Sequence, residues 1–157
     1  MQDKKVDRGG YKSDLNENEK VMMAIVRAAE LFKKESGAIF KNYGLTFAQY
    51  NVLRILDATP NGKNTITNVS SIMLVSGANM TGVAKRLEKS GFLIRRGDAN
   101  DERITLLEIT PKGRQSLKNI REEKDENLNK YMSSFSADEK EEMLSRLKMI
   151  LRRGVRR

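Results

Sequence analysis

Side chains that suit contacts with nucleic acid concentrate between residues 76 and 103 of the chain. Asn and Thr carry short donor and acceptor groups that fit the edges of bases, whereas Lys and Arg bind guanine or phosphate. A lone Arg on an exposed turn suits the minor groove, because the negative potential there attracts a guanidinium. The predicted DNA-contacting residues are Ser76, Asn79, Thr81, Lys85, Arg86 and Arg103.

Composition excludes most other chemistries. The 157 residues include no Cys and no His, which rules out thiolate or imidazole metal sites, disulfides and His-dependent triads. No phosphate-binding loop and no nucleophile with an obvious base is present, so we expect no enzymatic activity, no metal and no cofactor. Thirty Lys and Arg against 21 Asp and Glu give a net charge of +9, which favours a polyanionic partner.

The chain shows no pattern typical of a membrane protein. Its longest unbroken apolar run, residues 21–26, is far shorter than a bilayer span, and the first residues lead into no apolar signal core. We therefore expect a cytoplasmic protein that does not bind a membrane.

The candidate DNA-contacting residues fall on a predicted helix and a predicted hairpin. Ser76 is a suitable N-cap for a helix over residues 77–90, whose expected buried face is Met80, Val83, Ala84 and Leu87. Alternating apolar residues at 92–96 and 104–109, on either side of a polar loop, predict a β-hairpin.

A shorter helix precedes this pair. Thr65 can cap it and Leu74 is its expected last residue, so only a tight link separates it from the helix at 77–90. The order helix, turn, helix, hairpin is the winged-helix arrangement, in which the second helix enters the major groove. The same polar residues on an isolated helix would be interpreted as an ordinary solvated surface, and the hairpin reverses that preference.

Helices flank this region on both sides. Apolar residues spaced by three and four predict a helix over residues 15–43, and Thr46 with Gln49 forms a capping box for the next one. Thr110 followed by Pro111 starts another helix that runs to about Met132, and a last amphipathic helix follows. These helices present more apolar surface than a small domain can cover, which favours a homodimer, although burial within one chain is the alternative.

The predicted fold class is mainly α: a winged helix-turn-helix domain with one long N-terminal and two C-terminal dimerisation helices. The predicted segments are a flexible arm (1–14), an N-terminal dimerisation helix (15–44), a winged helix-turn-helix DNA-binding domain (45–110) and C-terminal dimerisation helices (111–157).

Three segments carry a family resemblance. They are LTFAQYNVLRIL, MLVSGANMTGVAKRLEKSGFLIRR and DANDERITLLEITPKG, and with them residues 45–113 resemble the MarR (multiple antibiotic resistance regulator) family of winged-helix transcription regulators. The resemblance implies a homodimer and a wing in which Asp101 and Arg103 match the family's acidic and minor-groove positions. It also implies that Arg95 supports the wing. Leu74 departs from the family pattern, which often has Gly there, and we expect it to lengthen the preceding helix.

The resemblance further implies a small aromatic or anionic effector bound between the dimerisation helices and the winged domain. Candidate pocket residues are Phe40, Tyr43, Phe47 and Tyr50. Aromatic residues at helical spacing are more often plain core, so this assignment competes with a packing role.

The predicted function is therefore sequence-specific DNA binding by a homodimeric, ligand-responsive repressor on a palindromic operator in double-stranded DNA. The alternative is a helical interaction module whose basic C-terminal helix binds an acidic partner or an anionic membrane surface. That alternative leaves the hairpin without a role.

Overall fold

The structure is a computed structural model that describes residues 14–99, 101 and 103–155. Within these residues it has six α-helices, one 3-10 turn and three short strands. The helices are α1 (Glu17–Lys41), α2 (Phe47–Ala58), α3 (Ile66–Met73), α4 (Gly77–Lys89), α5 (Pro111–Met132) and α6 (Ala137–Val155); the strands are β1 (Lys63–Thr65), β2 (Leu93–Gly97) and β3 (Thr105–Ile109). The mainly α class is confirmed. The predicted arm lies outside the described residues except for residue 14.

The chain divides into two compact units, Met1–Lys34 and Glu35–Arg157. In the first unit, α1 begins with a reciprocal cap, since Asn16 N–H donates to Glu19 Oε2 and Glu19 N–H donates to Asn16 Oδ1. Large apolar side chains of this unit are 39–55% exposed; they are Val21, Met22, Met23, Val26 and Leu31.

Side-chain caps define where most helices of the second unit begin, because each satisfies a backbone N–H that the first turn leaves unbonded. Thr46 and Gln49 form the predicted capping box of α2, and a second capping box precedes α6. The other predicted caps also accept a backbone N–H, namely Thr65 for α3, Ser76 for α4 and Thr110 for α5.

The turn between α3 and α4 differs from the prediction. Leu74 does not lengthen α3: the helix ends at Met73, and Leu74 is its C-cap in the left-handed conformation with φ +54° and ψ +40°. Its N–H bonds the carbonyls of Ser70 and Ser71, which closes the helix end. Leu74 thus adopts the conformation that Gly would adopt at lower cost, because a Cβ is disfavoured there.

Leu74→Gly should stabilise the protein by about 1 kcal/mol, since relief of the left-handed strain outweighs the added chain entropy of the unfolded state. The side chain is 63% exposed, so little buried apolar contact is lost. Urea denaturation measures the change. Leu74→Ala, which keeps the Cβ, should give no such gain, and a gain of equal size in both variants would contradict the conformational explanation.

The sheet has one strand more than the predicted hairpin. Its order is β1-β3-β2 and both pairings are antiparallel, with Asn64 opposite Leu107 and Leu93 opposite Ile109. β1 is the short segment between the turn that follows α2 and the start of α3. It ties the helix-turn-helix to the hairpin through backbone hydrogen bonds.

The hydrophobic core lies within the second unit, where α2, α3 and α4 pack on the sheet and α5 packs against α2. Of the predicted face of α4, Met80, Ala84 and Leu87 are fully buried and Val83 packs against them. The buried apolar residues are Phe40, Leu45, Tyr50, Val52, Leu53, Leu56, Val69, Met80, Ala84, Leu87, Phe92, Leu93, Leu107, Ile109, Leu117 and Ile120. One side of α4 packs in this core, and the opposite side is exposed to solvent.

Candidate nucleic-acid interface

The first residues of α4, 77–79, are exposed. Ser76 Oγ accepts a hydrogen bond from Asn79 N–H (3.3 Å), so the predicted contact residue Ser76 is also the N-cap of the helix. Asn79 is exposed beside it. The unbonded N–H groups and the positive end of the helix dipole favour an anion such as phosphate at this end.

The remaining predicted residues of α4 differ in exposure. Lys85 and Arg86 are exposed, whereas Thr81 is half-buried and its hydroxyl donates to the Gly77 carbonyl (2.9 Å). A hydroxyl that is donating in this way retains its oxygen as an acceptor. Thr81 is therefore suited to accept a hydrogen bond from a base amino group, and less suited to donate one to a base.

The loop between β2 and β3 projects one guanidinium. The Arg103 side chain is 92% exposed, and its Nε donates to Asp101 Oδ1 (3.1 Å). The same oxygen accepts the backbone N–H of Arg103 (3.0 Å), while Asp101 N–H donates to Asp98 Oδ1. Asp101 thus orients Arg103 through two bonds, as its position in the sequence suggested.

Arg95 joins the wing to α4. Its Nε donates to Glu88 Oε2 (2.8 Å) and its backbone N–H donates to Glu88 Oε1 (3.2 Å). The hydrogen bond from Arg95 is the main cause that lowers the pKa of Glu88, so the carboxylate stays ionised at a pH where an ordinary Glu begins to protonate. The sequence prediction named Arg95 but missed Glu88, because residues on two different elements give no local signal of their contact.

Three of the four predicted pocket aromatics, Phe40, Phe47 and Tyr50, stack on one another. Phe40 stacks on Tyr50 with ring centroids 3.9 Å apart and on Phe47 at 6.1 Å. Phe40 is 1% exposed and Tyr50 7%, so both belong to the core. The Tyr43 hydroxyl donates to Glu123 Oε2 (3.1 Å) on α5, and this bond is the first cause of the raised pKa of Tyr43.

Among residues 14–99, 101 and 103–155 no group of three or more acidic side chains is placed to hold a metal ion. None of the helices in these ranges combines the length and the apolar character needed to cross a bilayer.

A helix that is buried on one side and free at its N-terminal half, followed by a hairpin that projects an oriented Arg, defines a winged helix-turn-helix protein. The family model described as transcriptional regulator SarA/Rot matches residues 34–120, which is more than half of the chain. The chain therefore belongs to the SarA/Rot family of transcription regulators.

Individual relatives agree with this assignment. The chain is 28% identical to the HTH-type transcriptional regulator FarR of Neisseria gonorrhoeae over 131 residues, which cover 83% of this chain and 82% of FarR. The crystal structure of Sco5413, a MarR family transcriptional regulator from Streptomyces coelicolor, is 25% identical with a TM-score of 0.74 and covers 86% of this chain and 93% of Sco5413. The resemblance to MarR regulators is confirmed.

A third comparison concerns the fold alone. Sco3205, a MarR family transcriptional regulator from Streptomyces coelicolor solved in complex with DNA, superposes with a TM-score of 0.80 at 18% identity. The match covers 94% of each chain.

Proposed function

We propose that this protein is a cytoplasmic, sequence-specific DNA-binding repressor that acts as a homodimer on a palindromic operator and responds to a small effector. The observation that carries the proposal is the exposed guanidinium of Arg103, held by Asp101 at the tip of a hairpin that follows a helix with a free N-terminal half. This regulator acts by occupying DNA and has no catalytic step.

In the proposed complex, α4 lies in the major groove and the wing reaches the neighbouring minor groove. Asn79 and Thr81 contact base edges, while Lys85 and Arg86 bind guanine or phosphate. Ser76 brings the N-terminus of α4 to a phosphate. Arg103 enters the minor groove, and the Arg95–Glu88 pair keeps the wing in a fixed position relative to α4.

Dimerisation is supported by apolar side chains that are exposed to solvent on α6. No residue of α6 is buried in the stretch that the structure describes, yet Met143, Leu144, Ile150 and Leu151 expose 37–53% of their surface. Exposed patches of this kind mark interaction surfaces. We assign residues 15–44 and 111–157 to dimerisation and 45–110 to DNA binding; two copies then present their α4 helices about 34 Å apart on successive turns of DNA.

A selection from random double-stranded sequences tests the proposal. We expect recovery of a palindrome whose half-site centres lie about 10 base pairs apart, or a multiple of that spacing. Binding without sequence preference, at a salt concentration where the complex persists, would refute a specific regulator and favour the basic interaction module.

Asn79→Ala should relax base preference at one position in each half-site more than it lowers affinity for unrelated DNA.

Arg103→Ala should weaken operator binding by about 10- to 100-fold, because it removes from each half-site the guanidinium that enters the minor groove. Among the described residues its ion-pair partner is Asp101 of the same hairpin, so the dimer and the unfolding free energy should be unchanged. Fluorescence anisotropy across a salt series measures the loss.

Arg96→Ala is the matched control, since it removes the same charge from the same hairpin. Arg96 pairs with Glu108 across the sheet (3.7 Å) and does not project from the tip. Its loss should cost the operator complex less than threefold. An equal loss for both variants would mean that only net charge is sensed and that the wing tip does not enter the groove.

A further inference from the structure

Exposed apolar side chains lie at the turn that leads from α3 into α4. Ile72 is exposed there, as are Leu74 and Val75, which is 37% exposed. Most other large apolar side chains that are exposed in the described residues lie on α1 and α6. The turn belongs to neither of the two segments assigned to dimerisation, so a dimer does not account for its apolar surface.

The conformation of this turn places Val75 beside the start of α4. Leu74 is left-handed, and the Val75 N–H donates to the Ser70 carbonyl (3.1 Å), which holds Val75 against the end of α3. Ser76 follows directly and caps α4 by accepting the Asn79 N–H. The apolar turn is therefore continuous with the candidate nucleic-acid interface.

Ala78 extends the apolar surface onto α4 itself. The residue is exposed, whereas Leu87 is fully buried. The nine positions between them amount to about two and a half helical turns, so the two side chains point to opposite sides of α4. The methyl group of Ala78 thus projects from the side that faces away from the core.

The first two turns of α4, Gly77–Ala84, carry no charged side chain. Guanine is read chiefly by Arg or Lys, and the first of these on α4 is Lys85. Asn instead pairs with the N6 and N7 groups of adenine, and small apolar side chains contact the 5-methyl group of thymine. Asn79 and Ala78, which are neighbours, therefore suit the two halves of an A·T pair.

We propose that Val75 and Ala78 contact thymine 5-methyl groups in the major groove and so set specificity at one or two base pairs of each operator half-site. The inference rests on the proposed function, in which α4 enters the major groove. The methyl group is the apolar feature that distinguishes thymine there. Contact with an apolar side chain removes both surfaces from water, which is favourable.

DNA suits this apolar surface better than a second protein does. Lys85 and Lys89 are exposed and follow Ala78 after about two and three helical turns, so all three lie along one line of α4. Their charges attract a polyanion, which brings the same line of the helix to DNA. A thymine methyl group is thus an apolar partner that the basic half of α4 already draws towards Ala78.

Replacement of thymine by uracil in the selected operator tests the contact, because uracil lacks only the methyl group and still pairs with adenine. Each thymine is replaced in turn, in both half-sites at once, and affinity is measured by fluorescence anisotropy. We expect one or two positions at which affinity falls by about 10- to 20-fold, since each buried methyl group contributes about fourfold and the dimer buries it twice.

Two variants assign the contact to its side chains. Ala78→Gly should reduce the thymine-to-uracil affinity ratio to within about twofold of one at a sensitive position, and Val75→Ala should lower the ratio at least threefold at the same or a neighbouring position. The ratio is the informative quantity, because a change in helix stability affects both duplexes equally. Ala58→Gly removes the same methyl group from the exposed end of α2 and should leave every ratio unchanged.

A selected operator without any uracil-sensitive position would overturn the proposal. Sensitive positions with the same ratio in all three variants would also overturn it, because the methyl group would then act through the shape of the DNA, and the apolar turn would be left for a protein partner. Failure to select any operator would reject the proposed regulator together with this contact, whereas a selected operator that fails the uracil test rejects the contact alone.

Discussion

Leu144→Glu combined with Leu151→Glu should convert the protein to a monomer and weaken operator binding by about 100- to 10,000-fold. Both side chains are more than half exposed, and a spacing of seven residues places them on one stripe of α6. Two buried carboxylates without partners would oppose association strongly. A monomer contacts one half-site at a time and loses the effective concentration that links the two half-sites. Analytical ultracentrifugation and anisotropy measure the two effects.

Ser145→Glu combined with Met149→Glu is the matched control for the dimer. It adds the same charge to the same helix, but the helical spacing of 100° per residue places these positions away from the stripe of Leu144 and Leu151. The control should remain dimeric. Circular dichroism should show intact helices in both double variants, since α6 buries no residue that the structure describes. A stable dimer with normal operator affinity for the Leu variant would place the interface elsewhere.

The sequence predicted the helices well because their starting signals are local. A cap and the N–H that it satisfies lie within three residues, so Thr46, Thr65, Ser76 and Thr110 could all be recognised directly. β1 was missed for the opposite reason. Its three residues, Lys-Asn-Thr, have no apolar alternation, and they form a strand only because Leu106–Glu108 offer backbone partners more than 40 positions later.

Leu74 shows how tertiary contacts override a local preference. Leu favours the helix interior, and the expectation of a longer α3 followed from that preference. The structure instead needs a sharp turn so that α4 can bury Met80, Ala84 and Leu87 in the core. Several fully buried side chains outweigh a strain of about 1–2 kcal/mol at one exposed residue.

Some contacts of the candidate site could be predicted from the sequence and others could not. Arg103 and Asp101 are two residues apart, so their bond follows from local geometry. Glu88 and Arg95 lie on separate elements and meet only because β2 turns back beside α4. Local spacing therefore gave the candidate DNA-contacting residues, whereas contacts between elements had to come from the fold.

Gly113→Ala should destabilise the protein by about 3 kcal/mol. Gly113 is in the first turn of α5, where the Thr110 hydroxyl accepts its N–H and the helix meets the start of the wing. A Cβ there would clash with the Phe92 carbonyl oxygen and lie 2.8 Å from Ile109 Cγ1. The carbonyl cannot yield easily, because it accepts the Thr110 N–H (3.1 Å). Urea denaturation measures the loss.

Gly37→Ala is the control for the same chemical change. Gly37 lies inside α1, no atom would be within 4 Å of the new Cβ apart from the helix's own backbone, and its φ is not positive. This variant should gain about 0.5–1 kcal/mol, because Ala costs less backbone entropy than Gly in a helix. Opposite signs for the two substitutions would locate the constraint at the junction of α5 with the wing. Equal, small effects would mean that α5 shifts to admit the methyl group, and operator affinity of Gly113→Ala would then report whether that shift reaches the wing.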